Sequence, residues 1–348
     1  MGDTYGTVKV AAVQAASVFL DREGSTEKAC RLIREAGKAG ARVIGFPEGF
    51  IPAHPVWYHH HAATGTLANK LAVELFKNSV EIPGPQTEAL GQAARDANAY
   101  VTMGVCEKLP NTTGTMFNTQ IYFGPDGSII RKYQKIMPTV GERIVHMGGY
   151  GDTFGAFQSE FGPMSGLICG ENSNPLAVFA LIAEGTRVHV MSWPNHFPTS
   201  GDPLRNRVAI DSQAFAQMSK AFVISACGTV DERMIEMLSP GPEAEKFLRN
   251  PDCCGGSLIV DLLSRIIAGP MGAEEGILYA ECNLDLGIQM KLRHDFAGHY
   301  NRPDIFQVHI NRAAPQLYRV HNDPAALGAP QAQELSSPPR RLTSPLDE

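Results

Sequence analysis

An α/β protein with mixed sheets is what this sequence predicts, and three features predict it. Apolar runs of strand length alternate along the chain with amphipathic helical stretches. Some runs, such as ARVIGF at 41–46, are apolar at successive positions, as strands covered on both faces are. Others meet across turn sequences as hairpins, so parallel and antiparallel pairing share the sheets.

Taken in order, KVAAVQAA (9–16) is a first strand, and 25–40 is a helix capped by Ser25 with Ala29, Leu32, Ile33 and Ala36 on its apolar face. Strand 41–46 runs into Pro47, Glu48 and Gly49, which puts a carboxylate at the end of a core strand. Segment 50–63 (FIPAHPVWYHHHAA) reads as an ordered loop on the surface or over a pocket, with Trp57 and Tyr58 candidates to line a substrate site. Helices follow at 66–79 and 86–99, then strands at 100–109 and 117–123. The second turns through GPDG into a strand at 128–133, and Lys135 leaves its end before Pro138 stops any continuation.

The stretch 161–175, FGPMSGLICGENSNP, organises the rest. Its strand stops at Cys169; Asn172, Ser173 or Asn174 then caps a helix that has Pro175 in its first turn and ends near Gly185. Gly170 allows an unusual backbone angle at this turn, and the helix N-terminus favours the thiolate of Cys169. Further on come a strand at 187–192, a long helix at 204–220, a strand at 221–228, a hairpin at 255–268 around Leu263 and Ser264, and a strand at 276–284. From about 313 the chain is rich in Pro, Ala, Gln and Ser. This predicts an extended or disordered tail over 313–348, after a body over 1–312 whose length suits a single large α/β domain as well as two.

Composition narrows the function. A formal charge of −6 and a pI near 6.0 argue against nucleic acid, since phosphate binding needs a positive patch, and favour a small-molecule substrate. No apolar run reaches the roughly 18 residues of a membrane span and the N-terminal segment lacks a secretion signal, so a cytoplasmic protein is expected. The seven cysteines are scattered and odd in number, which suits free thiols. Cys253 and Cys254 lack C-x-x-C spacing, and the consecutive His59, His60 and His61 cannot all face one ion, with His54 adding no matching acid, so no metal is expected. GGYGDTFG at 148–155 has no P-loop lysine, and no cofactor is expected either.

Taken singly, Cys169 could be a buried hydrophobe, Glu48 a turn residue and Lys135 a solvated cation. Together, three reactive groups each follow an apolar strand, where ligand sites in α/β proteins gather. A thiol nucleophile needs a base, and attack on a carbon–nitrogen bond builds negative charge that a fixed ammonium can neutralise.

FPEGF around Glu48, YQKIMPT around Lys135 and LICGEN around Cys169 resemble, in order, the three catalytic motifs of the nitrilase, or carbon–nitrogen hydrolase, superfamily. PTVGER (138–143), GGSLIVD (255–261) and FAGHYNRPD (296–304) are similar to the nitrilase branch, and the likeness spans about 8–310. The resemblance implies a four-layer α-β-β-α sandwich with two mixed sheets, and homodimers that build larger oligomers, spirals or filaments, with the tail in assembly. It implies Cys169 as nucleophile, Glu48 as general base, Lys135 as stabiliser of the tetrahedral intermediate and Glu142 as a second glutamate supporting the lysine. His299 matches a histidine near the site, Trp193 opens a loop that shapes the pocket, and Gly170 stands where tryptophan is common. The implied activity is hydrolysis of an aliphatic or arylaliphatic nitrile by water, without cofactor. Cyanide dihydratase or aliphatic amidase is the alternative within the superfamily, and an inactive oligomer-forming protein the alternative outside it.

Overall fold

The layering follows from the alternation of side chains along β1 (Thr7–Gln14). Val8, Val10 and Ala12 join one buried cluster while Ala11 and Val13 join another, as the two faces of a strand must. The computed structural model describes residues 2–314.

Beside β1 the first sheet holds β2 (Val43–Gly45), β3 (Tyr100–Lys108), β4 (Met116–Phe123) and β5 (Ile129–Gln134). The second sheet holds β6 (Phe157–Ser159), β7 (Gly162–Ile168), β8 (Val188–Trp193), β9 (Phe222–Cys227), β10 (Leu258–Val260) and β11 (Ile266–Ala268). The last strand, β12 (Gly276–Asn283), returns to the first sheet antiparallel to β1. Strands β1, β2 and β3 are parallel, as are β7, β8 and β9, and antiparallel strands flank each trio. The expected mixture of directions is therefore present in both sheets.

The sheets pack face to face. A side chain at Gly45 in β2 would lie 2.9 Å from Val190 of β8 and 3.2 Å from Ile224 of β9, so glycine lets the two central strands approach. Helices α1 (Arg22–Lys38), α2 (Thr66–Asn78) and α3 (Pro85–Ala97) follow the first strands; α1 and α3 bury Ile33, Ala36, Leu90 and Ala94 against the outer face of the first sheet. Helices α4 (Pro175–Ala183) and α5 (Leu204–Ser219) bury Leu181, Val208 and Phe215 with the second sheet. The result is an α-β-β-α sandwich.

Helix α1 begins earlier than expected. Its cap is Asp21, whose carboxylate accepts the Gly24 N–H at 2.9 Å, while Ser25 sits inside the helix and bonds the main chain of Val18. Three short helices had no sequence signal strong enough to place them: α6 (Glu232–Leu238), α7 (Pro242–Leu248) and α8 (Leu286–Arg293). Two are only seven residues long and are separated by Ser-Pro-Gly, which reads as loop. Strand β6, of three residues, was likewise not expected. The expected tail lies outside the described residues apart from its first two. Among the described residues no helix is long and apolar enough to cross a membrane.

Candidate active site

The two sheets bring the ends of three strands together. Beyond β2, Phe46 is held by its N–H to Thr102 on one side and by the Ser192 hydroxyl to its carbonyl on the other, and the Glu48 N–H donates to the Trp193 carbonyl at 3.0 Å. Gly104 in β3 makes room for this turn, because a Cβ there would collide with the Pro47 carbonyl. The base candidate thus sits on backbone pinned to both sheets.

Lys135 follows β5 and is buried, with its ammonium donating to Glu48 Oε1 at 2.7 Å and to Glu142 Oε2 at 2.6 Å. Glu142 lies in a 3-10 turn, Val140–Ile144, and its Oε2 also accepts the Thr139 N–H at 2.9 Å. Asn118 of β4 completes the arrangement: its side-chain amide donates to Glu48 Oε1 at 2.7 Å and to Glu142 Oε1 at 2.6 Å. Nothing in the strand's spacing had marked Asn118 as functional, although three polar residues in a row, Asn118 to Gln120, inside a buried strand were a visible signal.

The environment separates the two carboxylates. Burial works against ionising Glu142, but Lys135 and His146 overcome it and hold its carboxyl well below the usual range. For Glu48 burial outweighs Lys135, and the carboxyl is raised. Burial likewise opposes the Lys135 ammonium, but Glu48 and Glu142 keep it firmly protonated. Glu142 therefore acts as a fixed counter-ion, while Glu48 is left better able to carry a proton. Its second oxygen, Oε2, is buried and has no hydrogen-bond partner among the described residues. His54 Nδ1 lies 3.5 Å from Glu48 Oε1, and burial, the largest effect on its ring, lowers its pKa to about 3, so it stands beside the base as a neutral imidazole.

Cys169 ends β7 at a sharp elbow. The unusual backbone angle expected of Gly170 falls on Cys169 itself, whose φ is +53°, a left-handed conformation that a non-glycine residue adopts under constraint. Its carbonyl accepts from Asn172 Nδ2 at 2.8 Å. That fixes the amide orientation, so Asn172 Oδ1 faces His189 Nε2 at 2.9 Å, and His189 Nδ1 meets the Ser165 hydroxyl at 2.8 Å. The expected thiolate preference is corrected: α4 begins only at Pro175, beyond an intervening 3-10 turn, and burial followed by the Glu48 charge pushes the thiol pKa well up. The thiol rests protonated and needs a base. Helix α4 is capped by Asn174, with Pro175 at its first position, as the sequence allowed.

The pocket candidates separate. Trp57 is fully buried and packs edge-on against Phe19, with ring centroids 6.3 Å apart, while Tyr58 beside it is half-buried. Trp193 is buried and meets Glu48 through its carbonyl. Gly170 is exposed, and a side chain there would meet nothing within 4 Å. His299 is exposed after α8 and makes no hydrogen bond to Glu48, Lys135 or Cys169. His59, His60 and His61 line a cleft of about 720 Å³ with Pro240, Glu243 and Phe247. Among the described residues no cluster of three or more His, Cys, Asp or Glu is arranged to hold a metal, and all seven cysteines are buried and unpaired.

The chain matches known proteins in both sequence and fold. The family model for carbon-nitrogen hydrolase matches residues 9–291. An aliphatic nitrilase of Sinorhizobium fredii (strain HH103) is 34% identical over 309 residues, covering 87% of this chain and 95% of its own. An aliphatic nitrilase of Rhodococcus rhodochrous is 31% identical over 320 residues, covering 90% and 85%. Among solved structures, Saccharomyces cerevisiae Nit3, a member of branch 10 of the nitrilase superfamily, superposes with a TM-score of 0.64 at 19% identity, over 84% of this chain and 97% of that one. The fold is that of the nitrilase superfamily, and the sequence identity over most of both chains goes further: this chain belongs to the carbon-nitrogen hydrolase family, in its nitrilase branch.

Proposed function

We propose that the protein hydrolyses an aliphatic or arylaliphatic nitrile to a carboxylic acid and ammonia, with Cys169 as nucleophile, Glu48 as general base, Lys135 as stabiliser of the tetrahedral intermediate and Glu142 as counter-ion of the lysine. One observation carries this reading: a buried ammonium shared by two carboxylates of unequal basicity, the more basic of which keeps one oxygen without a hydrogen-bond partner among the described residues. Glu48 takes the Cys169 proton and the thiolate adds to the nitrile carbon, whose nitrogen is protonated to give a thioimidate. Water, losing a proton to Glu48, adds to the same carbon; the carbon–nitrogen bond breaks and ammonia leaves, giving a thioester. A second water cleaves it, releasing the acid and restoring the thiol. Charge developing on the former nitrile nitrogen, and later on oxygen, falls to Lys135.

Tyr58, Trp57, Trp193, Gly170 and His299 remain the proposed surroundings of the substrate, with Gly170 leaving space beside the nucleophile. We also infer a homodimer that builds larger oligomers, supported by Leu176 on α4 and Ile210 on α5, which are 64% and 62% exposed on the outer layer. The deciding measurement is ammonia release from aliphatic, arylaliphatic and aromatic nitriles, cyanide and simple amides, for wild type and Cys169→Ala. Organic nitriles should release ammonia only with wild type, and Glu48→Gln should lose nearly all turnover. Ammonia from amides alone would reassign the reaction, and undiminished hydrolysis by Cys169→Ala would reject the nucleophile.

A further inference from the structure

Glu171 has no part in the chemistry above, yet its carboxylate is buried two residues after the nucleophile. Its Oε1 accepts the main-chain N–H of Ile136 at 2.8 Å and of Met137 at 3.1 Å. Its Oε2 accepts the N–H of Ile168 at 3.2 Å. Ile136 directly follows Lys135, and Ile168 directly precedes Cys169. A glutamate that only capped the 3-10 turn Cys169–Ser173 would need the Ile168 contact and nothing more. The two extra donors come from the segment that leaves β5, in the other sheet, where the chain has run past its ladder partners. One rigid carboxylate therefore spans the gap between the sheets at the level of the reacting groups.

We propose that Glu171 is a positioning residue that sets the separation of the Lys135 ammonium from the Cys169 thiol by clasping the backbone on either side of them. This rests on the reading of those two residues as stabiliser and nucleophile. All three main-chain partners are N–H donors, and the Tyr133 hydroxyl also faces the carboxylate, so only a group with two acceptor oxygens can serve them together. Gln at this position keeps the length but turns an N–H donor toward one of those N–H groups. Asp keeps both acceptors on a side chain one methylene shorter.

The test compares wild type, Glu171→Gln, Glu171→Asp and Cys169→Ala. For each, kcat and KM are measured on one nitrile or amide that wild type hydrolyses, together with the thermal midpoint and the rate of Cys169 alkylation by iodoacetamide, followed by peptide mass. In Glu171→Gln the expected result is a fall in kcat of about 10²-fold with KM changed by less than about twofold, as misplacement of reacting groups produces. Its alkylation rate should change as well, its midpoint should fall by a few degrees because a buried N–H loses its acceptor, and Glu171→Asp should recover part of kcat. An unchanged kcat per alkylatable Cys169, whatever the midpoint, would show a purely structural role and overturn the proposal. Should Glu171→Gln not fold, the same comparison on Glu171→Asp decides: lower kcat at constant KM supports the clasp, and wild-type kcat overturns it. Hydrolysis by Cys169→Ala would instead overturn the underlying nucleophile assignment, an outcome read from a different variant.

Discussion

The Lys135 ammonium and the Asn118 amide each donate to one oxygen of Glu48 and one of Glu142, so the two carboxylates share these two donors and differ in the rest of their surroundings. Glu142 alone accepts the Thr139 N–H and has His146 beside it, while His54 stands beside Glu48. Because the Glu142 charge is one of the influences that raise the Glu48 carboxyl, removing it must lower Glu48 and weaken it as a base. Glu142→Gln should therefore shift the acid limb of the kcat/KM profile to lower pH and reduce kcat by about 10- to 10²-fold, less than the roughly 10²–10⁴-fold lost when a general base is removed outright. A pH–rate profile checks this, and a limb that stays in place would show that Glu48 does not govern it. Gly170 poses the opposite case, since open space surrounds the position where a Cβ would stand. Gly170→Trp should fold with a stability change of about 0.5 kcal/mol or less, as exposed substitutions do, while altering the ratio of activity on bulky and small nitriles. Thermal unfolding and a substrate series measure the two effects separately.

Elements place these residues through backbone contacts that no local pattern records. Glu48 was legible because an apolar strand ended at it, and the same was true of Lys135 and Cys169. Asn118 was not, because the carboxylate it holds lies 70 residues away, and Glu171 read only as part of a polar turn because its partners Ile136 and Met137 arrive from the other sheet. The aromatic residues of segment 50–63 were legible as a group, but only tertiary packing shows that Trp57 turns inward onto Phe19. Residue 104 illustrates how an element can control the proposed base. Its missing side chain admits the Pro47 carbonyl against β3, and Glu48 is the next residue. Gly104→Ala should cost about 1–3 kcal/mol, as overpacking of a close contact does. Activity should fall further than stability, by about 10²-fold, because the strain displaces the proposed base. Measuring kcat well below the melting transition separates the two, and a variant that is less stable yet fully active would contradict the coupling.

Across the whole molecule the balance of buried titratable groups sets how stability responds to acid. Burial holds the rings of His54 and His189 at pKa values of about 3, and those of His59, His60 and His196 at about 4. In the unfolded chain each returns to about 6.5. Between those limits the unfolded state binds more protons, so stability is fully present above about pH 6.5 and is lost as pH falls toward 4, by up to about 1.4 kcal/mol per pH unit for each proton taken up by a fully buried ring and by less for the half-exposed His60, which solvent screens. Glu171 acts in the other direction. Burial raises its carboxyl to about 7 against the pull of Lys135, so it releases a cost as pH falls from 7 toward 4.5, and Glu48, also raised, adds to this. Asp211, raised by burial as well, acts in the same direction, but five histidines outweigh these three carboxyls, and the thermal midpoint should drop from pH 7 to pH 5. His60 offers the cleanest control, because its ring nitrogens have no hydrogen-bond partner among the described residues and it packs against Phe247 with centroids 5.3 Å apart. His60→Phe keeps that packing and removes one of the groups that must charge on unfolding, so it should flatten the midpoint-against-pH curve below pH 6.5 while leaving the value at pH 7.5 close to that of wild type. Parallel curves for the two proteins would show that His60 is not held neutral in the folded state.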